Sequence, residues 1–262
     1  MGIYNYNVDN DGESINGNYR GFSNCLIHNT DTNKTIIYGC ASSIIPNQSE
    51  YATAIGEKAF VSQIDLKNIA IPENIISIGA EAFGGCSALQ KIELPNTLKT
   101  IGAGAFRDCF EMKSFSGPFV GTTSDLTLNE FAVEKLFGYI FNLTDNKTYE
   151  DKLVKQEYST TSESKQELYI PKSLKEVTIT GKPIQYGGLS GTHITALNLP
   201  NASTIGEAFC KDCTELKRIK LNDELNTIEE SAFENCPLIQ EITLPKAFRL
   251  LKDKAFKGTK IK

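Results

Sequence analysis

The chain has 262 residues, 40% hydrophobic and 23% charged, which is apolar enough to bury a sizeable core. Lys plus Arg number 27 against 32 Asp plus Glu, a net charge of −5 with no long run of either sign, so the basic footprint of a nucleic-acid binder is absent. No apolar stretch reaches the ~18 residues of a membrane span, and two His with no Trp leave little acid–base or metal-ligand material, so composition leans away from an enzyme.

The opening residues, MGIYNYNVDN, have neither the basic nor the apolar region of a secretory signal. Tyr6 stands where a myristoylation motif needs Ser or Thr, and these residues read as the edge of an excised fragment. Further along, a fixed period takes over. Ile55-Gly-Glu-Lys-Ala-Phe60, Ile78-Gly-Ala-Glu-Ala-Phe83 and Ile101-Gly-Ala-Gly-Ala-Phe106 recur every 23 residues, and Cys86 with Cys109 and Pro72, Pro95 and Pro118 keep the same period. A period of this length marks a solenoid. After residue 180 the pattern returns as Leu197-Asn-Leu-Pro200, Ile219-Lys-Leu221 and Ile242-Thr-Leu-Pro245, and Cys213 and Cys236 are again 23 apart. One full coil offers Leu89, Ile92, Leu94, Leu98, Ile101, Ala105, Phe106 and Cys109 as its inward edge.

The I-x-L unit before Pro predicts a short strand with both apolar side chains on one face. The A-F-x-x-C spacing predicts one turn of α or 3₁₀ helix on the convex side. A single coil cannot bury its own apolar edge, so neighbours stack at about 4.8 Å, and about eight coils make a rod roughly 40 Å long with parallel strands. Two coils depart from the pattern. Ile205-Gly-Glu-Ala-Phe209 is one residue short before Phe and predicts a distortion; in Gln185 to His193, Gly188-Leu189 replaces Ala-Phe and Thr192 replaces Cys. Between about 116 and 167 the period fails altogether, and Phe119, Phe131, Phe137, Tyr139, Phe141, Tyr149 and Tyr158 crowd the interruption. Phe137-Gly-Tyr-Ile-Phe141 predicts a short apolar strand with rings covering the end of a broken solenoid, and the polar run from Thr144 to Lys165 predicts an exposed tip.

The coil IPxxLxxIGxxAFxxC resembles the BspA-like leucine-rich repeats of surface proteins from bacteria of the mouth and gut and from some protists. Asn24-Cys-Leu-Ile27 and the run from Thr35 to Pro46 are similar to a hairpin that precedes the first repeat in that family, and Gly117 to Leu189 resembles an insertion recurring in it. The resemblance implies an α/β fold in the form of a right-handed leucine-rich-repeat solenoid, mostly β and loop, with a parallel sheet of short strands and short helical or 3₁₀ turns. Its parts are a capping hairpin over 1–49 and a solenoid over 50–262 interrupted at about 116–167. It further implies an extracellular or cell-surface location and a non-catalytic adhesion role. The expected partner is a protein, such as an extracellular-matrix or host-surface protein, bound by a monomer without cofactor, metal, nucleic acid or membrane insertion. The alternative is a structural spacer or carrier in a larger secreted protein, with an appended enzyme domain.

Two surfaces are candidates for contact. Side chains flanking the buried I-x-L residues point outward, which selects Asn68, Lys91, Glu93, Ser114, Ser116, Glu176, Thr178, Asn198, Arg218, Lys220, Glu241 and Thr243 as partner-binding residues. The interruption adds Tyr149 and Tyr158 as amphipathic contacts. Among the cysteines, Cys86, Cys109, Cys213 and Cys236 fill one packing position, and Cys210 falls at the Phe position of its coil, so Cys210-x-x-Cys213 is expected to pack rather than bind zinc. If Thr30 pairs with Thr35 around Asp31 to Lys34, Cys25 lies opposite Cys40, within reach of a disulfide in an oxidising compartment.

Overall fold

A computed structural model describes residues 14–16, 18–30, 32–123, 133–141, 149–156, 167–181 and 186–261. It is a β-solenoid of about eight turns with almost no helix. The I-x-L segments form β7 (Lys91–Glu93), β9 (Ser114–Gly117), β12 (Glu176–Ile179), β13 (Ala196–Leu199) and β15 (Arg218–Leu221), which pair in parallel in the order β15-β13-β12-β9-β7. Ile92, Phe115, Val177, Leu197 and Ile219 are cross-strand partners in one inward row. A side-chain period of two then turns their neighbours outward.

Among the described residues, six coils also contribute a second, two-residue strand. β5 (Ala54–Ile55), β6 (Ser77–Ile78) and β8 (Thr100–Ile101) form one such parallel ladder, and β14 (Thr204–Ile205), β16 (Thr227–Ile228) and β17 (Leu250–Leu251) form another. The following Gly allows backbones to approach closely: a Cβ on Gly102 would sit 2.2 Å from Ala80 N and 2.5 Å from Gly79 C. The first ladder continues into an antiparallel meander of β1 (Ser14–Asn16), β2 (Tyr19–Phe22), β3 (Cys25–Asn29) and β4 (Lys34–Tyr38), with β4 parallel to β5.

The A-F-x-x-C segments form tight turns rather than helices. In each of these turns a residue adopts positive φ, among them Lys58 (56°), Glu81 (51°), Gly104 (60°), Ser231 (55°) and Lys254 (57°), which interrupts helical propagation. The N–H groups released by the turn cross to the next coil: Lys58, Phe60 and Ser62 donate to Ala80 O, Ala82 O and Gly84 O at 3.0, 2.7 and 2.7 Å. Inside them the phenylalanines stack, Phe60 on Phe83 at 5.1 Å and Phe83 on Phe106 at 5.6 Å, all fully buried. Each repeat thiol sits beneath, Cys86 Sγ donating to Phe60 O at 3.1 Å and Cys109 Sγ to Phe83 O at 3.3 Å.

The coil expected to be distorted is regular. Thr204 and Ile205 pair with Thr227 and Ile228, and Ala208 and Cys210 donate to Glu230 O and Ala232 O, so the spacing is kept. What moves is the ring: Phe209 occupies the Ala position and Cys210 the Phe position. Gly188 of the preceding coil leaves room beside the ring: a Cβ there would lie 2.3 Å from Val120 Cγ2 and 3.2 Å from Phe209 Cε2. The interruption likewise leaves the solenoid unbroken, since β9 pairs directly with β12 through Ser114↔Glu176 to Gly117↔Ile179. Phe137–Phe141 is a 3₁₀ segment, not the expected strand, and it takes the place of an A-F turn: Gly104 and Phe106 donate to Tyr139 O and Ile140 O at 3.0 and 2.9 Å. Phe141 packs on Phe106 at 6.1 Å. The extra chain then forms a hairpin of β10 (Leu153–Gln156) and β11 (Leu168–Pro171) before rejoining β12.

Wholly buried Gln156, on β10, knits this detour to the coils. Its Oε1 accepts from Gly138 N at 2.7 Å, and its Nε2 donates to Gly188 O at 3.2 Å and Ser190 O at 2.9 Å. Ser173, after β11, donates to both Phe110 O and Met112 O at 2.6 and 2.7 Å, spanning 63 and 61 residues of sequence.

Candidate functional site

The parallel pairing of β7 to β15 arranges the outward side chains in two rows. One row runs Lys91, Ser114, Glu176, Ala196, Arg218; the other runs Glu93, Ser116, Thr178, Asn198, Lys220. Ten side chains that are far apart in sequence thus share one pleated surface. Ala196 was passed over in the sequence because it is apolar, although its spacing from Arg218 matches that of Asn198 from Lys220. Charge sits on the two outer strands and at Glu176 on the central one, with small neutral groups filling the rest. Lys91 and Glu93 pair at 2.6 Å, and Arg218 approaches Glu176 at 3.7 Å, all four well exposed. Such exposed pairs contribute little stability, so they are free to exchange partners on contact.

The paired rows end at β15. Glu241 and Thr243 are exposed but lie in segment 240–244, which forms no strand, so they extend the surface without ladder support. At the other side, Asn68 to Ile71 runs beside β7 without joining the sheet, leaving an open depression of about 390 Å³ lined by these residues with Lys91 and Glu93. Along the edge where chains enter the strands, Lys175 Nζ donates to Glu215 Oε2 at 2.8 Å and to His193 O at 3.1 Å. That lysine holds the Glu215 carboxyl below its ordinary range.

Tyr149 is exposed but not free-standing: its ring packs on Phe110 at 4.6 Å, and Lys152 Nζ lies 5.1 Å over Phe110. No spacing links Phe110 with Tyr149, because the return of β10 and β11 beside the coil is what joins them. Tyr158 and Phe131 lie outside the described residues, as does most of the polar run from Thr144 to Lys165.

On the turn side, Glu234 is nearly buried and is flanked by Lys211 at 3.4 Å and Lys257 at 3.2 Å, one from each neighbouring coil. Burial pushes its carboxyl up, but Lys257, Ser231 and Lys211 outweigh it and hold it below the ordinary value. Burial pushes the Cys86 thiol up to about 11 and Cys109 and Cys210 well above their usual value, which marks them as packing groups. Among the described residues no group of three or more His, Cys, Asp or Glu could hold a metal ion, and no helix is long and apolar enough to cross a membrane.

The register expected for the cysteine hairpin is corrected. Asn29 pairs with Lys34, His28 with Thr35 and Ile27 with Ile36, and a bulge then brings Leu26 opposite Tyr38. The turn is tighter than expected because Thr30 N–H bonds to Asn33 O, two residues earlier than a Thr30–Thr35 pairing requires. Cys25 consequently falls level with Gly39 rather than Cys40, and both thiols are free.

With six copies, the family model for the BspA type leucine rich repeat region matches residues 53–178 and 154–262. The chain belongs to that family. Solved structures similar to it include a leucine-rich repeat protein from Eubacterium ventriosum, at 19% identity over 95% of this chain and 52% of that one, TM-score 0.45. A leucine rich cell surface protein from Faecalibacterium prausnitzii is 16% identical over 93% of this chain and 55% of its own, TM-score 0.37. The pneumococcal vaccine antigen PcpA is 16% identical over 94% of this chain and 80% of its own, TM-score 0.34. The chain therefore spans about half the length of the first two proteins. No curated protein matches it.

Proposed function

We propose that this BspA-type chain is a non-catalytic recognition module that binds a protein at the cell surface through the outward face of β7 to β15. The observation carrying this reading is the in-register pair of rows, which offers a continuous, mostly polar surface on a rigid ladder rather than a cleft with converging acid and base groups. Pre-formed strands cost a partner little ordering entropy, and small Ser, Thr, Ala and Asn side chains let its backbone approach closely. The Phe110–Tyr149–Lys152 group supplies an aromatic flank of the type enriched in interfaces.

The test is binding of the purified chain to immobilised extracellular-matrix and mucus proteins, read by interferometry, alongside Lys91→Glu combined with Arg218→Glu. A charge-reversed face should weaken the interaction about tenfold or more with the melting curve unchanged. If every candidate partner fails to bind, or binding survives the reversal, the face is a solvated wall and the chain is a structural spacer.

A further inference from the structure

The N-terminal meander carries chemistry of its own. Residues 40–43 form a turn closed by Ser43 N–H donating to Cys40 O at 2.9 Å. That turn is pinned to the tight connection between β2 and β3, where Ser23 and Asn24 adopt φ of 42° and 65°. Ser43 Oγ donates to Asn24 O at 2.8 Å, Ile44 N to Ser23 O at 3.1 Å, and Asn24 Nδ2 to Ser42 Oγ at 3.2 Å. Cys25, wholly buried at the start of β3, and Cys40, half-buried just past β4, are brought to the same turn: Cys25 Sγ donates to Ile44 O at 3.7 Å, and Ser43 Oγ donates to Cys40 Sγ at 3.7 Å. The Leu26↔Tyr38 pair leaves both cysteines within two residues of the last cross-strand contact between β3 and β4.

The two thiols differ in kind. Burial pushes Cys25 up to about 11. Burial also pushes Cys40 up, but the hydroxyls and N–H groups of Ser42 and Ser43 outweigh it, so this more accessible sulfur is the better thiolate. We propose that Cys25 and Cys40 are a dithiol–disulfide pair, with Cys40 the attacking and Cys25 the resolving sulfur. With glutathione disulfide as oxidant, Cys40 thiolate attacks one glutathione sulfur, breaking the S–S bond and releasing glutathione thiolate. Cys25 then attacks Cys40 Sγ in the mixed disulfide and expels the second glutathione, whose departing thiolate takes up the Cys25 proton. Two protein thiols are oxidised, one glutathione disulfide is reduced to two glutathiones, and the new bond ties β3 to the loop leading to the first coil. The other five thiols, Cys86, Cys109, Cys210, Cys213 and Cys236, are all buried, so none of them offers the accessible sulfur that starts the exchange.

The experiment treats the full chain with glutathione disulfide and maps the cysteines by peptide mass spectrometry. The expected product is a single bond between Cys25 and Cys40, with the other five thiols still alkylated after unfolding, and a melting midpoint raised by several degrees. Cys25→Ser should stop at a glutathione adduct on Cys40, and Cys40→Ser should take up glutathione at least about tenfold more slowly. A stable glutathione adduct on Cys40 of the unaltered chain, or a Cys210–Cys213 bond with Cys25 free, overturns the assignment.

Discussion

Replacing Gln156 by Leu tests how the detour between β9 and β12 is held. The two side chains have similar volume, so the site stays filled while three hydrogen bonds vanish. Gly188 O retains the N–H of Phe137 at 2.9 Å, but Gly138 N and Ser190 O lose the partners supplied by Gln156. A buried backbone group left without a partner costs about 1–3 kcal/mol, so two of them cost about 2–6 kcal/mol, and the better transfer of Leu returns about 1 of that. The expected loss is therefore about 1–5 kcal/mol. Urea denaturation followed by far-UV circular dichroism measures it, and amide exchange at Gly138 localises it, since this N–H should lose protection before the amides of Phe83 and Phe60. Lys155→Ala, one residue away, removes an exposed ion pair with Glu167 and should change stability by less than about 1 kcal/mol. A loss below about 1 kcal/mol for Gln156→Leu, with Gly138 still protected, would refute the role given to this side chain.

Two further outcomes follow from the same stack. Phe106→Ala removes a fully buried ring lying 5.6 Å from Phe83 and 6.1 Å from Phe141, and should cost about 3–5 kcal/mol in a denaturant melt; a change under about 1 kcal/mol would mean the ladder relaxes around the gap. Glu234 is held below the ordinary carboxyl value, so its contribution is complete at neutral pH and is lost as pH falls through and below about 4. Glu234→Gln should therefore melt lower than the unaltered chain at pH 7, and the gap between the two melting curves should close on acidification. A gap that stays constant down to pH 3 would place the effect outside the Lys211–Glu234–Lys257 clamp.

Sequence alone determined whatever repeats: the 23-residue period, the inward Ile, Leu, Phe and Cys positions, and the outward rows on β7 to β15, because stacking converts a fixed period directly into neighbours. Lys91, Ser114 and Glu176 were legible as one surface for that reason, even though β12 follows a long detour. Tertiary structure decided the contacts that have no period. Gln156 looks like any polar residue until Gly138 and Ser190 close around it, and Phe137–Phe141 reads as a strand until the preceding coil's N–H groups demand a turn. The Phe209 exchange has Gly188 beside it, and the cysteine register turned on the tight Thr30–Asn33 turn, which the bulge between Leu26 and Ile27 only half offsets. In each case the deciding interaction joins residues whose separation in sequence carries no signal, so only the packed coils could select it.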